Sequence, residues 1–128
     1  MQRCEVCEGE ATNICPRCYR YVCEKCTDPT SMLCVDCSSF KRWREEDLLR
    51  GVESLEKKVD YVKSVMERCF DCPLLKDEIM RSLWMVKNLE ATAKVEGMEE
   101  LSDRLIEVRE KVQKVGVEYL VRFKMKSR

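Results

Sequence analysis

The chain contains no histidine. Without an imidazole, no nucleophile–base–orienter set of the usual kind can be assembled from these residues, so the expectation is a protein that is not an enzyme. Long apolar runs are missing as well. Charged residues interrupt every hydrophobic segment after Phe40, and nothing approaches the roughly 18–20 residues needed to cross a bilayer. Met1 is followed by Gln2, Arg3 and Cys4 and not by the apolar stretch of an export signal. Together these absences lead us to expect a soluble, cytoplasmic protein with reduced thiols and no membrane association.

Net charge is absent too: 24 basic and 24 acidic residues cancel. That balance treats cysteine as neutral, whereas a metal-bound cysteine is a thiolate. In residues 1–37, Arg3, Arg17, Arg20 and Lys25 stand against Glu5, Glu8, Glu10, Glu24, Asp28 and Asp36, a net of minus two. Eight thiolates on two Zn²⁺ would carry that segment to about minus six, a poor match for nucleic acid. From Arg109 to Arg128 there are seven basic residues and two acidic ones. Affinity for an anionic partner is therefore expected at the C-terminal end.

What the sequence does have is cysteine, ten in all, eight of them before Ser38. They form four C-x-x-C pairs, Cys4/Cys7, Cys15/Cys18, Cys23/Cys26 and Cys34/Cys37, separated by seven, four and seven residues. A two-residue insertion makes a tight turn that can place two sulfurs on one metal, and tetrahedral Zn²⁺ then needs one further pair. Four pairs supply two complete sites, hence two Zn²⁺ per chain. Such four-thiolate sites are closed to water and structural. A disulfide framework would need an oxidising compartment. An iron–sulfur cluster would gather four cysteines around one centre and leave this even series unexplained. Neighbouring pairs could share a metal, or the pairs could interleave, one with three and two with four. The short, β-prone Tyr19-Arg20-Tyr21-Val22 spacer favours the interleaved form.

This series of C-x-x-C pairs resembles the B-box zinc finger, and Ile14-Cys15-Pro16-Arg17-Cys18 with Tyr21-Val22-Cys23 is similar to the HIT-type finger. The resemblance covers residues 4–37. It implies an interleaved double zinc site and a protein-interaction module, and B-box fingers often precede a coiled coil, an order repeated here. Both families normally use one or more histidines late in the motif, and this chain departs from them in having none. Longer loops and a histidine would also be expected of a RING ligase, so no ligase activity is inferred.

From Phe40 onward the composition turns to Leu, Val, Met, Glu, Lys and Arg, which favour helix. Leu48, Val52, Leu55, Val59, Val62, Met66 and Cys69 recur in heptads, widened by Leu49, Val65 and Phe70; the spacing predicts a helix over 40–70. Pro73 is well placed to open a second helix with Ile79, Leu83 and Val86 on its stripe, flanked by Met80 and Trp84, and Gly97 to stop it. Glu99 and Glu100 suit the first turn of a third, whose stripe is Met98, Leu101, Leu105, Val108, Val112, Val115 and Tyr119. The expected fold is a small zinc-stabilised α+β finger over 1–38 followed by an all-α helical bundle or coiled coil over 39–128. Val52 and Val59 at a-type positions, with Leu48 and Leu55 at d-type positions, suggest self-association, so a homo-oligomer is expected.

Two features remain. Cys69-Phe70-Asp71-Cys72 has the spacing of a thioredoxin-type motif but not its βαβ setting, so a core cysteine with an exposed neighbour is expected. A stapling disulfide, a metal site shared between two chains and thiol oxidoreductase chemistry are the alternatives. The tail Val121–Arg128 alternates apolar and basic residues; a frayed terminus is expected, with RNA binding and stacking on Phe123 as the alternative. The function expected is a non-enzymatic zinc-binding adaptor or scaffold for a protein partner. The alternative is an RNA-associated factor using the basic C-terminal third.

Overall fold

The computed structural model describes residues 2–69 and 72–126, and all side chains among them except that of Lys126. It falls into two compact units, Met1–Glu46 and Asp47–Arg128.

The first unit is built from turns. Strands β1 (Asn13–Ile14) and β2 (Tyr21–Val22) pair antiparallel, with Asn13 opposite Val22 and Ile14 opposite Tyr21. A 3-10 turn, Glu24–Cys26, follows, and helix α1 (Val35–Arg68) begins in this unit. The α1 start at Val35, earlier than the expected Phe40, puts Cys37 on the helix's first turn and Cys34 just before it. Ahead of β1, the bridge Arg3↔Glu10 repeats the Ile14↔Tyr21 pairing eleven residues earlier on both strands. The same shift relates two cysteine knuckles. Cys4 N–H donates to Gly9 O (2.6 Å) and Glu8 N–H to Cys4 O (2.9 Å), while Cys15 N–H donates to Arg20 O (2.9 Å) and Tyr19 N–H to Cys15 O (2.8 Å). Glu8 and Tyr19 both sit at positive φ, 66° and 62°, a conformation unfavourable for non-glycine residues that persists only when the surroundings enforce it.

In the second unit α1, α2 (Leu74–Glu96) and α3 (Glu99–Lys126) form a three-helix bundle. Its core is one cluster of heptad residues: Val52, Leu55, Val59, Val62 and Met66 from α1, Leu75, Ile79, Val86 and Ala93 from α2, and Leu101, Leu105, Val108, Val112 and Val115 from α3, closed by Met98. The α1 and α3 stripes thus match the sequence reading, except that Cys69, one residue past α1, is exposed. Phe70 lies outside the described residues. On α2 the buried position is Ser82 and Leu83 is only partly covered. Spacings of four and three run Leu75, Ile79, Ser82, Val86, and the Ser82 hydroxyl is satisfied by donating to Glu78 O at 2.8 Å.

Helix ends follow their chemistry. Pro73 stands immediately before the first residue of α2, Leu74, with helical backbone angles and no side-chain capping bond, and Gly97 ends the helix in the left-handed conformation (φ 65°) that glycine takes without a Cβ penalty. Ion pairs tie the helices across their margins: Glu56 of α1 to Arg104 and Lys111 of α3, Lys58 to Glu78, and Arg109 to Glu90. The stripe expected to drive self-association (Val52, Leu55 and Val59 buried, Leu48 partly so) is covered within one chain. The expected frayed tail is instead helical through Lys126. Arg122 helps hold it, donating to Met66 O (3.3 Å) and to Glu118 (2.8 Å). Among the described residues no helix is long and apolar enough to cross a membrane.

Candidate metal centre

All eight cysteines of the first unit converge, and they do so in two tetrads. The sulfurs of Cys4, Cys7, Cys23 and Cys26 lie within 4.8 Å of one another, as do those of Cys15, Cys18, Cys34 and Cys37. Pair one has joined pair three and pair two has joined pair four, which is the interleaved arrangement. Each tetrad is assembled the same way. A knuckle closed by the positive-φ residue supplies one pair, and a helical turn supplies the other: the 3-10 turn for Cys23/Cys26, the start of α1 for Cys34/Cys37. Corresponding ligands stand eleven residues apart (4 and 15, 7 and 18, 23 and 34, 26 and 37), a signal present in the spacing of the sequence.

The distances suit a metal. Cys7 Sγ and Cys23 Sγ are 3.5 Å apart, and Cys18 Sγ and Cys34 Sγ 3.8 Å. Four sulfurs at about 2.3 Å from a tetrahedral ion are about 3.8 Å from each other. A disulfide needs about 2.05 Å, and all ten cysteines are free thiols. Each tetrad is therefore able to hold one metal ion. Four-sulfur tetrahedra suit zinc or iron and leave no position open for substrate.

The sulfurs are not electrostatically alike. Burial pushes the Cys4 thiol up, but backbone donors at Cys7, Cys23 and Val6 outweigh it and bring it to about 6. Cys15 repeats this, with burial opposed by donors at Cys18, Cys34 and Arg17 and a result of about 6. Cys26 and Cys37 go the other way, pushed up to about 12 by burial first and then by their neighbouring thiols. Metal binding must expel those protons, so affinity falls as pH is lowered.

Arg20 breaks the near-symmetry. Its guanidinium donates to Cys34 Sγ (3.2 Å), to Cys18 Sγ (3.4 Å) and to Asp36 Oδ2 (2.9 Å). The residue eleven positions earlier is Gly9, so the first tetrad lacks this cation. Sequence reasoning missed Arg20 and Asp36, because their part depends on a knuckle turning Arg20 toward the start of α1. The loop before Cys34 is braced by Asp28, which accepts from Thr30 N–H (2.9 Å) and from the Ser38 hydroxyl.

The remaining thiols do not join these centres. Cys69 is exposed and Cys72 is half-buried against the bundle core, the arrangement of a packed cysteine with an exposed neighbour. No protein-family model, no curated protein and no solved structure matches this chain.

Proposed function

We propose that this protein is a non-enzymatic adaptor in which two zinc ions fold an N-terminal finger and a helical bundle supplies a docking surface. The observation that carries the zinc is the make-up of the finger's interior. Its buried cluster is Cys4, Cys15, Cys26, Cys34 and Val22, so four of five core residues are ligands and the interior has little to hold it without metal. Tetrads whose sulfurs lie within 4.8 Å of one another suit a single tetrahedral ion and not a multi-iron cluster; we take that ion to be zinc, and metal analysis separates it from a single iron. The closed form of the tetrads and the lack of histidine support the non-enzymatic reading. The order of finger then helices supports an interaction role, as in the B-box arrangement that residues 4–37 resemble.

Elemental analysis paired with affinity capture tests this reading. The metallated protein should carry two zincs and retain partners specifically, and partners that need the finger should be lost from the Cys4→Ser/Cys15→Ser protein. Reduction of insulin through Cys69 and Cys72 would contradict the non-enzymatic reading. Salt-dependent RNA binding reduced by substitution of Arg122 and Lys124 would favour the RNA-associated alternative.

A further inference from the structure

A groove of about 550 Å³ runs between α2 and α3, walled by Met80 and Leu83 on one side and Val117 and Leu120 on the other. Apart from these margins the bundle covers its stripes well, yet Met80 is 58% exposed and Leu120 58%, and Trp84, one helical turn beyond Met80 at the groove's outer edge and not among its lining residues, is 67% exposed. An exposed tryptophan beside a methionine and two aliphatics is the composition of an interface centre.

Gly116, which also lines the groove, is unexplained by the fold. Glycine inside a helix costs about 1 kcal/mol relative to alanine. A Cβ there would meet Ile79 Cγ2 at 3.6 Å, an ordinary contact, so packing within the chain does not demand glycine. What the missing methyl leaves is open space in the groove.

Charge narrows the occupant. The one charged lining residue is Lys76. Helical spacing puts Lys87 one turn beyond Leu83, Lys124 one turn beyond Leu120 and Lys114 beside Val117, against Asp77 and Glu110, so the surroundings are net basic. A second copy presenting the same face would bring like charges together. A flat lipid surface would not enter a channel between two helices, and nucleic acid would bury phosphates against apolar walls. A helix laid along the channel packs against both neighbours as in a four-helix bundle. We infer that the α2/α3 groove docks an amphipathic helix of a protein partner, with an apolar stripe flanked by Asp and Glu; this rests on the adaptor reading and names its docking face.

The test uses the full-length, zinc-loaded protein carrying Trp43→Phe, which leaves Trp84 as the single tryptophan. The probes are two synthetic helical peptides with the same leucine stripe, one flanked by Glu and one by Lys. The Glu peptide should shift Trp84 emission to the blue saturably and bind about tenfold more tightly than the Lys peptide at low salt, with the gap closing as salt rises. Leu120→Glu should weaken binding at least about tenfold with helicity unchanged. Gly116→Ala should raise the melting temperature while weakening binding, opposite signs that a purely structural glycine would not give. Equal affinity for both peptides, no saturable shift, a shift produced by raising protein concentration alone, or a shift only with RNA or anionic vesicles would each overturn the inference. If the peptide fails while two zincs are bound, only the groove assignment falls; if zinc is absent, the adaptor reading falls instead.

Discussion

The two units of this protein reach stability by different routes. Among the described residues, the finger buries one apolar side chain that is not a cysteine, Val22, whereas the bundle buries fifteen residues in one cluster. In the bundle each heptad position contributes a small increment of the hydrophobic effect, and a missing methyl group is a local loss. In the finger the interior is the cysteine set that could hold two metal ions, so on the zinc reading structure and metal content become one property.

Chelation should expose that difference most strongly. Removing metal is expected to collapse backbone protection over residues 4–37 while most of the circular dichroism at 222 nm, which comes from the bundle, survives. Hydrogen exchange followed by mass spectrometry checks this region by region. Loss of most helicity on chelation would mean that the two units share one core.

The reverse experiment attacks the bundle alone. Leu105 is fully buried, and Leu105→Ala should destabilise the helical unit by about 2–5 kcal/mol without changing the zinc content. Denaturant melts read at 222 nm, alongside metal analysis, would show it. Leu55→Glu should unfold the bundle, because Leu55 is buried within the chain; a variant that stays helical but halves its mass would mean that the stripe serves self-association.

A finer contrast lies within the finger. Arg20 donates to two sulfurs of the second tetrad; once metal binding has made those sulfurs thiolates, a charge-assisted donor holds their lone pairs and slows their attack, whereas on a free thiol it would favour ionisation. In the zinc-loaded protein Arg20→Ala should therefore speed alkylation of Cys18 and Cys34 severalfold, toward the rate at Cys7 and Cys23, as read by mass mapping during N-ethylmaleimide labelling. Unchanged order of labelling would show that Arg20 does nothing for the metal centre.

The smallest effect is electrostatic. Glu56 sits between Lys111 and Arg104, and the Lys111 hydrogen bond holds its carboxyl below the ordinary 4.5 against the opposing effect of burial. A depressed carboxyl contributes stability above its unfolded value, and that contribution is lost as pH falls through the lower folded value. Glu56→Gln should cost about 1 kcal/mol or less near neutral pH, with the difference from the parent vanishing in acid. A cost that persisted at low pH would assign Glu56 a packing role.

Much of this architecture is written in short-range spacing. Cys4 and Cys7, or Val108, Val112 and Val115, announce themselves because a knuckle or a heptad needs only a few residues of context. Which pairs share a metal was only biased by the Tyr19–Val22 spacer, since it depends on where two turns meet in space. Ser82 in place of Leu83 escaped for another reason: a hydroxyl that bonds its own helix counts as polar in a pattern yet is cheap to bury. Arg20 and Gly116 escaped because their surroundings come from residues distant in sequence, Cys34 and Asp36 for one and Ile79 for the other. The early start of α1 was hidden by the cysteine pair at its edge, Cys34 just before the helix and Cys37 on its first turn.

The central claim, that metal shared between interleaved pairs forms the finger's core, is tested most directly by the zinc content of four proteins: the parent, Cys4→Ser, Cys23→Ser and the double variant. Cys4 and Cys23 belong to one tetrad. The parent should hold two zincs, each single variant one, and the double variant still one. A parent that holds one metal, or iron, or a double variant that loses both zincs where each single variant lost one, would contradict it.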